Sequence, residues 1–256
     1  MAVLVADDLM VEVEGKGVVR GVSLRVGAGE VHALMGPNGS GKSSFSLAVA
    51  GHPGYRVVGG KLRLEEGGKG VNLLRLGADE RARAGLFLSF QSPVAIPGVS
   101  VFGLLRAGRQ ARMAAGGGKD GKVESVTEFY ERVRREAKAL GMGEEFIKRS
   151  VNDGFSGGEK KKTEVLQMAV FSPKVAILDE PDTGLDVDAL RVVARGVAKQ
   201  AEKGTGILLI THYTRILEYL RPGAVHVLKE GRLIRSGGYE VAEEVERRGY
   251  EAIGEK

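Results

Sequence analysis

The amino-acid sequence predicts an α/β fold, with a mainly parallel sheet covered by helices on both faces, an antiparallel β lead-in and an inserted helical subdomain. The first observation is that strand-like and helical patterns alternate in the last third of the chain, which is typical of parallel strands joined by crossover helices. The second is an apolar strand that runs into a glycine-rich loop and then a helix. The elements predicted from the alternation are strands over 175–178, 206–210 and 224–228 and a helix over 188–202.

The first 93 residues supply the other predicted core elements. Residues 3–26 have the alternating pattern of strands and are broken by glycines at 15–17. The remaining elements expected here are a strand over 31–35, a helix over 42–50, a strand pair around 57–64, a helix over 78–84 and a strand over 86–90.

Residues 100–150 lose the strand pattern, and their clearest helix is predicted over 124–140. The glycine-rich stretch 116–121 is expected to be a mobile loop. We therefore expect an α/β core formed by residues 1–93 and 171–256, and a helical subdomain over 94–170.

The composition is that of a globular protein, with 43% hydrophobic and 28% charged residues. No apolar run approaches the roughly 20 residues that cross a bilayer, so we expect a cytoplasmic protein without membrane insertion. The chain has no cysteine, which excludes disulfides and thiolate metal ligands. With 5% aromatic residues and a net charge of +5, the sequence shows no basic–aromatic pattern, and no nucleic-acid partner is expected.

Residues 36–43 read Gly-Pro-Asn-Gly-Ser-Gly-Lys-Ser, the pattern of a phosphate-binding loop between a strand and a helix. The glycines let backbone N–H groups turn toward phosphate oxygens, and the helix that follows adds its positive N-terminal end. Lys42 is expected to reach the β- and γ-phosphates, and Ser43 to ligate Mg²⁺. The predicted nucleotide-binding residues of this loop are Gly36, Pro37, Asn38, Gly39, Ser40, Gly41, Lys42, Ser43 and Ser44.

A second motif is the apolar run 175–178, which ends in two carboxylates, Asp179 and Glu180. A buried strand of this kind delivers its last residues to the sheet edge where ligands of α/β folds bind. A strand that ends in a solvated acidic turn has the same pattern, but the phosphate loop favours a metal site. Asp179 is expected to hold Mg²⁺, and Glu180 to orient and polarise the attacking water.

Residues 155–159, Phe-Ser-Gly-Gly-Glu, resemble the signature motif of ABC-type ATPases, and Ser156 precedes Asp179 by 23 positions. Ser156 can cap the helix that begins there, and Gly157 and Gly158 leave its N–H groups open to a γ-phosphate. The resemblance implies a P-loop NTPase that hydrolyses ATP with Mg²⁺. It also implies that Ser156, Gly157 and Gly158 contact the ATP of a second subunit, in a head-to-tail homodimer that ATP stabilises.

Three further positions resemble motifs of the same family. Gln91 resembles the glutamine that touches Mg²⁺ or the water, and His212 resembles the switch histidine that contacts the γ-phosphate. Residues 183–186 resemble the loop that crosses the dimer interface. The resemblance thus implies a catalytic set and a metal set, which share Gln91: Glu180, His212 and Gln91, and Ser43, Gln91 and Asp179.

Within this family, the chain is most similar to the ATPase subunits of the SUF iron–sulfur cluster assembly machinery. Glu159 and Gly184 depart from the Gln and Ala that are usual in transporter cassettes. The similarity implies scaffold partners of the SufB/SufD type, with residues 92–101 as the candidate docking segment. It is carried by residues 31–36, 47–53, 90–99, 155–161, 182–186 and 211–213.

Two alternatives stay open at this point: the nucleotide-binding subunit of a membrane transporter, and a nucleic-acid or ribosome-associated ABC protein. A single cassette without heptads disfavours the last. Residues 10–18 contain no aromatic to stack on a base, so adenine selectivity follows only from the resemblance. Lys160, Lys161 and Lys162 are expected to form a solvated face, with a contact to an acidic group such as Glu180 as the alternative.

Overall fold

A computed structural model describes residues 1–115 and 124–253 of the chain. The glycine-rich stretch 116–121, predicted as a mobile loop, lies outside the described residues. The strands are β1 (Ala2–Val13), β2 (Lys16–Gly27), β3 (Val31–Met35), β4 (Arg56–Glu66), β5 (Lys69–Asn72), β6 (Leu86–Ser89), β7 (Ile96–Ser100), β8 (Ser150–Val151), β9 (Val175–Asp179), β10 (Gly206–Ile210), β11 (Ala224–Lys229) and β12 (Arg232–Gly237).

Helices fill most of the remaining chain. They are α1 (Lys42–Ala50), α2 (Ala78–Ala84), α3 (Val101–Ala114), α4 (Val126–Ala139), α5 (Glu144–Lys148), α6 (Gly157–Phe171), α7 (Val187–Glu202), α8 (Arg215–Leu220) and α9 (Glu240–Arg248), with a 3₁₀ turn at Leu73–Arg75. In the part of the chain that the structure describes, we find no helix that combines the length and the apolar character needed to span a bilayer.

The central sheet has the strand order β12–β11–β3–β10–β9–β6, in which only the edge strand β12 is antiparallel. Successive residues of β10 face opposite sides, as the pleat requires. Ile207 and Leu209 pack into the core beneath helices such as α6 and α7, whereas Leu208 and Ile210 face α1 and the N-terminal strands. The predicted fold class, a mainly parallel α/β sheet with an antiparallel lead-in, is confirmed.

The antiparallel lead-in is a four-stranded sheet in the order β2–β1–β4–β5. The strand pair expected around 57–64 is instead the single strand β4, which pairs with β1 on one side and with β5 on the other. The glycine pair at 67–68 forms the β4–β5 turn, with both residues at positive φ. This sheet covers one face of the central sheet together with α1.

The helical region contains a short ladder that the sequence pattern does not predict. Strands β7 and β8 pair antiparallel, with Ile96 opposite Val151 and Ser100 opposite Ser150. The hydroxyl of Ser150 accepts a 3.1 Å hydrogen bond from Gly98 N–H. The ladder therefore joins the segment after Gln91 to the segment that precedes residues 155–159.

Candidate functional site

The phosphate loop is the turn between β3 and α1. Gly36 has φ 155° and Gly41 has φ 105°. A Cβ atom on Gly36 would lie 2.2 Å from the carbonyl oxygen of Leu228, and one on Gly41 would lie 2.6 Å from that of Val18. Both positions therefore require glycine, and the loop is packed tightly between β2 and the end of β11.

Lys42, the first residue of α1, turns its side chain back over this loop. Its ammonium group donates hydrogen bonds of 2.8 Å to the carbonyl oxygens of Gly36 and Pro37. Burial lowers the pKa of Lys42, and the nearby carboxylates of Glu180 and Asp179 oppose that shift. The positive charge is thus held inside the loop where phosphate oxygens are expected.

Asp179 ends β9 beside the loop and is buried. Its Oδ2 accepts a 3.2 Å hydrogen bond from the Ser46 hydroxyl, whereas its Oδ1 is buried and finds no hydrogen-bond donor among the described residues. Burial raises the pKa of Asp179, and the neighbouring side chains of Ser43 and Ser46 oppose that shift. A buried carboxylate oxygen without a donor, next to a serine hydroxyl, fits a hard cation such as Mg²⁺.

Glu180 is the point on which three predicted motifs converge. Its Oε2 accepts hydrogen bonds from Gln91 Nε2 at 2.7 Å and from Thr183 Oγ1 at 3.1 Å, and its Oε1 lies 3.1 Å from His212 Nδ1. Its backbone has φ 48°, in the left-handed region that a non-glycine residue rarely adopts. The structure therefore brings Gln91, Glu180 and His212 together, as the sequence predicts.

These residues line a cleft of about 840 Å³. Residues 38–44, Gln91, Glu180 and His212 are on its wall, as predicted, and sequence reasoning missed several others. Tyr213 packs its ring 3.8 Å from that of His212, and Thr183 was assigned only to a dimer interface. The remaining wall comes from β2 and the β11–β12 turn: Gly17, Val18, Arg20, Glu230 and Gly231.

Ser156, Gly157 and Gly158 stand apart from this cleft, at the N-terminus of α6. The Ser156 hydroxyl accepts from Glu159 N–H at 3.3 Å, and Glu159 Oε2 accepts from Ser156 N–H at 2.8 Å, which is a capping box. The Arg149 guanidinium lies 4.5 Å from the ring centre of Phe155. Within one chain, the structure does not bring the signature residues to the phosphate loop.

The expectation that residues 160–162 form a solvated face is wrong for Lys161, which is only 5% exposed. Its ammonium group donates to the carbonyl oxygens of Phe90 at 2.9 Å and Gln91 at 3.0 Å. Its acidic neighbour is Glu164, whose Oε2 lies 3.6 Å away, and not Glu180. Lys161 is one turn into α6, where the helix faces the interior, so its charge has to be satisfied within the protein.

Comparisons with known proteins show the family of the chain. A family model described as ABC transporter matches residues 19–183. The probable ATP-dependent transporter ycf16 of Cyanophora paradoxa is 46% identical over 258 residues, which cover 99% of this chain and 95% of that protein.

Solved structures show the same fold. The ATP-binding subunit of an ABC transporter superposes with a TM-score of 0.77 at 25% identity, covering 96% of this chain and 95% of that one. A dimeric bacterial ABC transporter cassette superposes with a TM-score of 0.75 at 18% identity, covering 92% of this chain and 98% of that one. The chain belongs to the ABC transporter family, as one of its ATP-hydrolysing nucleotide-binding cassettes.

Proposed function

We propose that this ATPase is a SufC-type subunit, which hydrolyses ATP as a head-to-tail dimer and so changes the conformation of iron–sulfur cluster scaffold proteins of the SufB/SufD type. The proposal is supported by the segment 91–99, Gln-Ser-Pro-Val-Ala-Ile-Pro-Gly-Val, which resembles that group and lies on the surface. The absence of cysteine agrees with it, because the thiolates that hold a cluster must then belong to partners.

In the proposed hydrolysis, residues 36–44 bind the phosphates, and Lys42 exchanges its contacts with loop carbonyls for phosphate oxygens. Mg²⁺, held by Ser43, Gln91 and Asp179, would neutralise charge on the transferring phosphoryl group. This set contains a single carboxylate, and within residues 1–115 and 124–253 no group of three or more His, Cys, Asp or Glu could hold a metal. Nucleotide oxygens and water would complete the coordination of Mg²⁺. Glu180 orients the attacking water, and His212 contacts the γ-phosphate.

A dimer follows from the separation between the signature residues and the cleft. Ser156 and Gly157 are exposed, and neither lies on the wall of the cleft that contains the phosphate loop of its own chain. They can therefore serve a γ-phosphate only on a second copy of the chain. Two copies arranged head to tail would enclose two ATP molecules.

The proposed dock for the scaffold is residues 92–101, at the start of the proposed helical subdomain 94–170. Three of its apolar side chains are exposed: Val94 is 77%, Ile96 is 39% and Val99 is 38% exposed. The segment is tied to the chain before the signature by the β7–β8 ladder and by Asn152 Nδ2, which donates a 3.0 Å hydrogen bond to Val94 O. Movement of the signature would therefore reach the docked scaffold.

The second candidate function is the nucleotide-binding subunit of a membrane transporter, and the name of the Cyanophora relative, a probable ATP-dependent transporter, favours it. Purification of the tagged protein from its own cells distinguishes the two. Scaffold subunits that co-purify and support ATP-dependent cluster formation would establish the SufC-type function. A permease with membrane-spanning helices in the purified complex would overturn it.

A matched pair of variants sharpens this test. Val94→Asp places a charge in the proposed dock and is expected to abolish co-purification, while the ATPase activity of the isolated chain is retained. Val58→Asp changes a valine that is 45% exposed on β4, which belongs to the N-terminal antiparallel sheet and not to the dock, and is expected to leave co-purification intact. Equal loss of partners from both variants would exclude residues 92–101 as the dock.

A further inference from the structure

Two buried charges on α6 play no part in the proposed hydrolysis. Lys161 and Glu164 are each 5% exposed and lie one helical turn apart, outside the cleft. Both side chains point at the residues that lead from β6 to Gln91. Sequence reasoning passed over Glu164, although an acid three residues after a lysine in a helix is a signal for an ion pair.

The pair satisfies the backbone where the central sheet ends. Glu164 Oε2 accepts a 2.6 Å hydrogen bond from Ser89 Oγ, and its Oε1 accepts a 2.9 Å hydrogen bond from Phe90 N–H. Lys161 donates to the carbonyl oxygens of Phe90 and Gln91, at 2.9 and 3.0 Å. Because β6 ends at Ser89, these backbone groups of Phe90 and Gln91 have no hydrogen-bond partner in the sheet. Side chains of α6 supply these partners.

Stability alone is a weak reason for a buried ion pair. Burial raises the pKa of Glu164, and the charge of Lys161 and the hydrogen bonds from Ser89 and Phe90 oppose that shift. Replacing such a pair by apolar groups of similar volume is often neutral or stabilising. The four contacts instead fix the direction in which the backbone leaves β6, and this direction determines where the side chain of Gln91 lies.

We propose that Lys161 and Glu164 are positioning residues that hold the backbone of Gln91 so that its side-chain amide reaches Glu180. Since both residues belong to the helix that begins at the signature, a displacement of that helix is passed directly to Gln91. The proposal rests on the proposed roles of Gln91 and Glu180, and it adds a route within one chain between the signature and the site of hydrolysis.

The test is a double-mutant cycle on ATP hydrolysis. Lys161→Met and Glu164→Gln together remove both charges with little change in volume, and they are compared in the wild-type and Gln91→Ala backgrounds. In the wild-type background we expect kcat to fall roughly 10- to 100-fold with little change in KM, the scale expected for a misplaced group. In the Gln91→Ala background the same two substitutions are expected to change kcat less than about twofold, because coupled residues are not additive.

The control is an ion pair between α4 and α7, outside the cleft, in which Lys199 Nζ lies 3.0 Å from Glu136 Oε2. Lys199→Met with Glu136→Gln is expected to leave kcat unchanged. If the Lys161/Glu164 variant does not fold, Glu164→Gln alone keeps an acceptor for Phe90 N–H and enters the same cycle. Equal losses of kcat in both backgrounds would overturn the positioning role, while unchanged kcat in Gln91→Ala itself would overturn the role of Gln91 as well.

Discussion

The side-chain amide of Gln91 donates a 2.7 Å hydrogen bond to Glu180, a residue 89 positions later in the chain. The sheet explains this contact. Strands β6 and β9 are parallel neighbours, with Ser89 opposite Leu178, so the residues that follow both strands leave the sheet at the same edge. Two motifs that are far apart in the sequence therefore meet because their strands share a register.

Lys42→Ala is expected to weaken ATP binding roughly 10- to 100-fold, because hydrogen bonds to charged groups contribute about 1.5–3 kcal/mol. Equilibrium titration with a fluorescent ATP analogue measures the effect. Lys199→Ala, at an exposed lysine paired with Glu136, serves as the control and should bind normally. Wild-type affinity in Lys42→Ala would show that this ammonium group does not contact the phosphates.

Glu180→Gln is expected to retain ATP binding while steady-state hydrolysis slows by roughly two to three orders of magnitude, the scale for losing a preorganised group in the transition state. The amide keeps the size of the side chain and one acceptor oxygen but loses the charge that polarises water. Turnover is measured by phosphate release with the partner present. Asp188→Asn, at an exposed carboxylate, is the matched control, and unchanged turnover in Glu180→Gln would exclude its assigned role.

Ser156→Arg is expected to abolish the dimer that Glu180→Gln forms with Mg-ATP, because a large cation would occupy the surface that meets the second γ-phosphate. Light scattering in the Glu180→Gln background measures it. The matched control is Ser125→Arg, since Ser125 caps α4 with the same capping box, formed there with Glu128. Loss of the dimer in both variants would point to a general effect of an altered cap rather than to the signature surface.

His226 is expected to make the fold sensitive to acid. Its Nε2 lies 3.2 Å from His32 Nδ1, its Nδ1 lies 2.9 Å from Ser236 Oγ, and Glu30 faces the far side of His32 at 3.2 Å. Burial, with a smaller contribution from His32, lowers the pKa of His226 from 6.5 to about 4. In the unfolded chain the imidazole of His226 is protonated below about pH 6.5, whereas in the folded chain it stays neutral down to about pH 4. Stability is therefore lost as the pH falls from 6.5 toward 4.

Urea unfolding at pH 7.5 and pH 5 measures this loss. The lowered pKa of His226 costs about 2 kcal/mol of unfolding free energy at pH 5. In His226→Gln the free energy of unfolding is therefore expected to differ between pH 7.5 and pH 5 by about 2 kcal/mol less than in the wild type. His52→Gln changes an exposed histidine that accepts a hydrogen bond from Gly54 N–H and should leave the difference unchanged. If the stability of His226→Gln depends on pH as that of the wild type does, His226 is not the source of the acid sensitivity.

The sequence was sufficient where structure is set locally. Helices α1 and α2 begin and end where the glycines around them predict, and β9 and β10 follow from apolar runs that are buried on both faces. The sequence was not sufficient where two strands pair that lie far apart in the chain. Strand β8 has two residues, Ser150 and Val151, and pairs with a segment about 50 positions earlier, so no local pattern reveals it.

The candidate site divides in the same way. Glu180 was predicted because it follows a buried strand, and Gln91 and His212 because they resemble motifs of the family; the structure joins all three. Arg20 and Val18 were missed, since they reach the cleft only through the packing of β2 against the phosphate loop. Lys161 was misread because a run of lysines carries no information on which member faces the interior.

The left-handed backbone conformation of Glu180 is unfavourable for any residue that carries a side chain, so the proposed catalytic acid destabilises the fold. For a residue with a side chain, this conformation costs roughly 1–2 kcal/mol, and glycine would adopt it freely. A library selected only for heat resistance is therefore expected to enrich glycine or asparagine at position 180. Such proteins would fold well, bind nucleotide and turn over almost none of it, so a selection on this chain has to score hydrolysis together with stability.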